Sequence, residues 1–155
     1  MKLIDNTLVI EMMARAAASD RKRTNHNFHE SADDVAQRYC IAATKDSYFR
    51  PHRHPTNWEL AIVFRGEFEV IVFDDEGNVE ERHLVGPNTA TAGFEIEANR
   101  WHGWLPLEEQ GVFFEVKQGP YDPATAAEFA PWAPEDGTPE AAAFVQTLKE
   151  LTRHG

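Results

Sequence analysis

Two histidines and a glutamate fall within eight positions of the stretch RPHRHPTNWELAIVFRG, residues 50 to 66. Imidazole nitrogens and a carboxylate oxygen suit Fe(II), Mn(II), Ni(II) or Zn(II), and three such donors leave positions open for water or substrate. Residues two apart in a strand project from one face, so His52 and His54 present both rings on the same side. Pro51 and Pro55 bracket the pair and remove amide donors that a central strand needs, which places the pair near a strand end or rim. Four residues separate His54 from Glu59, enough for a turn that brings the carboxylate back toward the imidazoles. Glu59, Ala61 and Val63 then share one face of ELAIVFR, and Leu60, Ile62 and Phe64 the other. An acid facing a barrel interior is costly without a partner, and a divalent cation supplies one.

Of the remaining histidines, His102 in NRWHGW is the best fourth ligand; the alternative is a ring stacked among Trp101 and Trp104. His26 and His29 lie in a charged N-terminal segment and are expected on the surface or an arm, with a pocket as the alternative. His83 sits on the polar run VEERHLV, and His154 at the chain end. Lys117 and Tyr121 are expected near the barrel mouth, where they either hold an anionic or sugar substrate or clamp a C-terminal arm. Asn25 is either an arm cap or a substrate contact. Arg50 and Arg53 alternate with the ligand histidines and are expected to point away, to solvent or a subunit contact. Glu67 and Glu69 are expected on the solvated face of a strand. Cys40, the only cysteine, has apolar neighbours and reads as a buried structural thiol, so no internal disulfide forms.

The elements that must position these residues are mostly short strands. The segments QRYCIAA, DSYFRP, ELAIVFR, EFEVIVFD, VEERHLV, ATAGFEI and GVFFEVK are rich in β-formers and separated by turns such as DDEGN and GPN. With no helix among them, they predict an all-β antiparallel sandwich or barrel. Ahead of them, residues 5–18 predict a helix capped by Asp5 or Asn6, followed by a polar irregular segment crossing the surface. After Gly119-Pro120 comes an arm anchored by Phe129 and Trp132. A last helix follows through Glu150, with Thr138 as cap and Pro139 in its first turn. The expected division is residues 1–36 for the N-terminal helix and arm, 37–118 for the barrel, and 119–155 for the C-terminal arm and helix, all one structural domain.

The 155 residues suit one core, and ten Phe and four Trp can fill it. A net charge of -11 repels phosphate backbones and anionic membranes, so nucleic acid and membrane partners are not expected. The run LVIEMMARAAA is broken by Glu11 and Arg15 and is not expected to be a secretion signal, which makes the cytoplasm the expected location.

The spacing at His52, His54, Glu59 and Gly66 resembles the first cupin motif, and EANRWH at 97–102 is similar to the end of the second, with His102 as its histidine. Asp46, Glu97 and Asn99 stand where that pattern has glycine, proline and glycine; Asn tolerates the left-handed backbone such a turn needs. A narrower likeness, carried by RTNHNFH, QRYCIAATKDSYFRPHRHPTNWE, VFDDEGNVEE, FFEVKQGPYDP and FAPWAPE, resembles the WbuC-type cupin metalloproteins of bacteria. That resemblance implies a small jelly-roll barrel with one divalent metal per chain on His52, His54, Glu59 and His102. It also implies an association with lipopolysaccharide O-antigen synthesis. The ligand expected is then a small sugar or nucleotide-sugar, and cupin pairing through strands or sheet edges makes a homodimer the expected state. Two rivals share the ligands: an Fe(II)-dependent dioxygenase, and a non-catalytic module that uses the metal to bind a sugar.

Overall fold

The computed structural model describes residues 1–152, so His154 lies outside the described residues. The chain opens with α1 (Asn6–Ala18), whose N-cap Asp5 accepts a hydrogen bond from the Leu8 amide at 2.9 Å. Ten strands follow: β1 (Arg23–Asn27), β2 (Ala36–Thr44), β3 (His52–Arg53), β4 (Glu59–Arg65), β5 (Phe68–Phe73), β6 (Val79–Val85), β7 (Gly93–Ile96), β8 (Trp101–Pro106), β9 (Gln110–Gln118) and β10 (Glu128–Phe129). The helix α2 (Pro139–Thr152) ends the described chain, its first turn capped by the Thr138 hydroxyl, which accepts from the Ala141 amide at 3.2 Å.

The strands form two five-stranded antiparallel sheets, ordered β1-β2-β9-β4-β7 and β10-β3-β8-β5-β6. Between them Val63, Phe68, Val70, Val85, Trp104 and Phe113 make the central core, with Trp104 stacked on Phe113 at 3.9 Å. This is the expected antiparallel double-sheet fold with an N-terminal helix and a C-terminal arm and helix.

Each sheet is also covered from outside. Val9, Met12, Met13 and Ala16 recur at helical spacing on α1 and pack on Cys40, Ala42 and Val112 of the first sheet. Cys40 is fully buried, which pushes its thiol up to about 11 and leaves it the structural residue expected. Val145 and Leu148 of α2 pack on Ile71 and Phe73 of the second sheet, each such buried aliphatic contributing about 1.5–3 kcal/mol. The C-terminal arm runs beneath α2, with Ala130 and Ala133 buried and Trp132 against Phe73, Trp101 and Phe144.

Several local expectations are corrected. The N-terminal polar segment is not wholly irregular: Arg23–Asn27 pairs with Tyr39–Ala43 as an edge strand, where polar residues can face solvent. DSYFRP is not a strand. Lys45 and Asp46 turn the chain, Pro51 lacks an amide proton, and the Tyr48 carbonyl is served by the Arg23 guanidinium at 2.6 Å. Glu69 is buried rather than solvated, because α2 roofs its face of β5; it pairs with Arg82 at 2.5 Å, and Arg82 also donates to the Leu148 carbonyl. Phe129 is 53% exposed, so it is no buried anchor, unlike Trp132.

Candidate metal centre

The double-sheet geometry brings the two sides of the cluster together. His52 on β3 lies opposite His102 on β8 in one sheet, while Glu59 opens β4 in the other and pairs with Lys117 of β9. His54 follows β3, and its carbonyl accepts the Asn99 amide at 2.7 Å. Asn99 has φ 67°, the left-handed turn expected where glycine is missing. Gly66 closes the first motif at φ 72°, and a Cβ there would meet the Gln110 carbonyl oxygen at 2.7 Å.

Among the described residues, His52, His54, Glu59 and His102 each offer one ligand atom, all within 4.8 Å of one another. Donors 2.0–2.2 Å from a shared ion lie roughly 3–4.4 Å apart, depending on the angle between them, so a modest inward movement of the side chains would close the cluster. Backbone carbonyls fix the rings: Nδ1 of His52 faces the Arg50 oxygen at 3.0 Å, Nδ1 of His54 that of Ala126 at 2.5 Å, and Nδ1 of His102 that of Arg100 at 2.9 Å. Each ring thereby donates from Nδ1 and turns Nε2 inward as an acceptor. His54 Nε2 is 2.9 Å and His102 Nε2 3.6 Å from Glu59 Oε2. Glu59 Oε1 and His102 Nε2 are buried with no hydrogen-bond partner among the described residues. Orphaned buried acceptors are costly, and these two are chemically what a cation takes.

Electrostatics prepares the donors. Burial, reinforced by His102 and Lys117, drives the His52 ring well below its ordinary pKa and keeps it neutral. Burial alone would raise Glu59, but the Lys117 ammonium holds it well below the usual carboxylate range. Lys117 stands 3.1 Å from Glu59 and 2.7 Å from Glu115. Burial opposes its charge, yet Glu115 and Glu59 keep it well above its ordinary value. Burial and Glu59 raise Glu115; burial and Glu115 raise Tyr39, whose hydroxyl donates to the Glu115 carboxylate.

A cavity of about 860 Å³ reaches His52, His54 and Glu59, while His102 is fully buried. Lys117 lines this cavity as expected, but it faces Glu59 and Glu115 rather than Tyr121, which is 52% exposed on the same lining. Asn25 lines the cavity and donates to Asn27. His26 does not: it alternates out of register with Asn25 and Asn27 and packs edge-on against Phe28 at 5.0 Å. His29 reaches the lining, bonded to Arg38 backbone. Arg53 faces away as expected, though it packs on Trp101 and pairs with Glu128 at 2.8 Å. Arg50, expected to do the same, lines the cavity, because the chain ahead of β3 is irregular. Tyr39 and Glu115 went unremarked in the sequence. Two-residue alternation sets Glu115 with Lys117 and Phe113, while Tyr39 comes opposite Glu115 only through the β2–β9 register.

A search among curated proteins finds no match. Solved structures do match: a protein with a double-stranded β-helix domain from Klebsiella pneumoniae subsp. pneumoniae MGH 78578 is 17% identical, with 84% of this chain and 97% of that chain covered and a TM-score of 0.58. An oxalate oxidase in complex with the substrate analogue glycolate is 14% identical over 90% of this chain and 76% of its own, with a TM-score of 0.57. The capsular polysaccharide assembling protein CapF from Staphylococcus aureus is 17% identical over 72% of this chain, with a TM-score of 0.61. The match spans 32% of CapF's length. At these identities the likeness establishes the double-stranded β-helix, or cupin, fold. No helix among the described residues is long and apolar enough to cross a membrane. The model of one family, described as a domain of unknown function, DUF6016, matches residues 4–85, which include His52, His54 and Glu59. More than half of the chain is matched, and the protein is a member of the DUF6016 family with a cupin fold.

Proposed function

We propose that this protein holds one divalent transition metal on His52, His54, Glu59 and His102 and uses it to bind or transform a small sugar or nucleotide-sugar. The observation that carries the reading is the cluster itself: four donors drawn from both sides of the sandwich, with two buried acceptors lacking a hydrogen-bond partner among the described residues. When bound, the ion would supply Lewis-acid or redox chemistry to oxygen atoms of a ligand. The chain's own residues do the rest. Backbone carbonyls orient the three rings, Lys117 holds Glu59 anionic, and burial shields Glu59 and His102 from bulk water.

The finer reading is a WbuC-type cupin serving bacterial surface-polysaccharide (O-antigen) metabolism, in the cytoplasm and as a homodimer. Its support is the motif likeness in the sequence and the shared fold with a capsular polysaccharide assembling protein. The edge strands β6 and β7 offer backbone groups with which a second copy can pair.

Elemental analysis of protein purified without chelator or affinity nickel tests the metal. Wild type should carry about one ion per chain and His54→Ala almost none, since loss of one such ligand removes a quarter of the donor set. Equal content in both proteins refutes the site. Oxygen uptake by the iron-loaded protein with an organic substrate, and none with zinc, would mark the same centre as a dioxygenase.

A further inference from the structure

Arg50 lines the cavity with His52 and His54. Its guanidinium carbon lies 5.2 Å from the centroid of the Phe129 ring, and that ring lies 6.2 Å from the His52 ring, so Phe129 seats the cation beside a metal-ligand candidate. Arg53 has Glu128 at 2.8 Å and Arg23 has Asp136 at 3.1 Å. Arg50 has no such carboxylate among the described residues. Among the described residues its Nε is buried without a hydrogen-bond partner, and its guanidinium makes one long approach, 3.5 Å, to the Ala130 carbonyl. A planar, permanently charged fork left in this condition is matched to an oxyanion delivered from outside.

Charge balance points the same way. Lys117 and Arg50 offset Glu59 and Glu115 within the inner cavity. A divalent ion on the four ligands therefore leaves that space with excess positive charge, inside a chain whose net charge is -11. Low-dielectric walls concentrate such a local field. At about 860 Å³ the cavity accepts a molecule of sugar size, and Asn25, Asn27 and Tyr121 line it with groups that can meet hydroxyls.

We propose that the ligand is an anion, a hydroxyl-bearing molecule whose carboxylate or phosphate is held by Arg50 while adjacent oxygens face the metal. This rests on the metal-binding reading above and narrows its ligand class. The oxyanion can come from a sugar acid or from the diphosphate of a nucleotide-sugar. The test is calorimetric titration of metal-loaded wild type, Arg50→Gln and Arg50→Lys with D-glucuronate, UDP-glucose and D-glucose, with metal content measured on each sample. At least one anion should bind wild type about tenfold or more tightly than glucose, as a charge-assisted contact does over a neutral one. Arg50→Gln should lose that preference while keeping its metal, and Arg50→Lys should keep part of it. Glucuronate identifies a carboxylate site, UDP-glucose alone a diphosphate site. Equal binding of glucose, no binding of either anion, or an unchanged Arg50→Gln overturns the anion assignment with the metal centre intact. Wild type without metal overturns the metal reading itself.

Discussion

Replacing Lys117 with methionine removes a cation from between two buried carboxylates while keeping an unbranched side chain only one atom shorter. Lys117 Nζ lies 3.1 Å from Glu59 and 2.7 Å from Glu115, both almost wholly buried. Removing one partner of a buried ion pair costs about 3–5 kcal/mol. For a chain of 155 residues each kcal/mol moves the melting temperature by about 2–4 °C, so the metal-free variant should melt roughly 6–20 °C below metal-free wild type. Loading with metal changes the arithmetic. The ion gives Glu59 a counter-charge, and Glu115 keeps its hydrogen bond from Tyr39. The loaded variant should then fall short of loaded wild type by about half the metal-free deficit. Differential scanning calorimetry of both proteins in both states measures the four temperatures. Equal deficits with and without metal, or a metal-free deficit below about 3 °C, refute the view that Lys117 and the ion neutralise the same carboxylate.

Gly66→Ala forces a Cβ into a φ of 72° and to within 2.7 Å of the Gln110 carbonyl. Urea unfolding should show a loss of about 1–3 kcal/mol, and a loss below about 0.5 kcal/mol contradicts the strain argument. Burial would raise the Asp136 carboxyl, but Arg21 and Arg23 at 2.9 and 3.1 Å bring it below its ordinary value. The stability this supplies is present above the unfolded carboxyl range and is lost as pH falls through the depressed value. With Asp136 about one-third exposed, Asp136→Asn should remove about 0.5–1 kcal/mol at neutral pH and flatten the acid limb of a stability profile; parallel limbs would contradict the pairing.

The metal-ligand candidates were legible because strand alternation and ligand spacing are local properties. His52 and His54 needed only the two-residue period, and Glu59 only its place among Ala61 and Val63. His102 was legible through chemistry rather than pattern, since Asn99 adopts the backbone that a glycine would have provided. What escaped depends on contacts distant in sequence. Arg23–Asn27 is a strand because β2 offers it an edge, and nothing in its polar composition announces that partner. Glu69 alternates like a solvent-facing acid, but α2, arriving from the far end of the chain, covers it and leaves Arg82 as its neutraliser. Arg50 was misdirected by assuming a regular strand across Pro51, where the chain is irregular. Glu115 and Tyr39 look unremarkable alone, and gain their role only from the register that sets them beside Lys117.

Glu59 belongs to one sheet, His52 and His102 belong to the other, and His54 directly follows β3. An ion shared among them is a rivet through both plates of the sandwich, and it can be driven home only once the plates have met. Such a rivet adds nothing to the approach of the sheets and everything to their separation. Its benefit falls on the lifetime of the folded molecule rather than on the speed with which it forms.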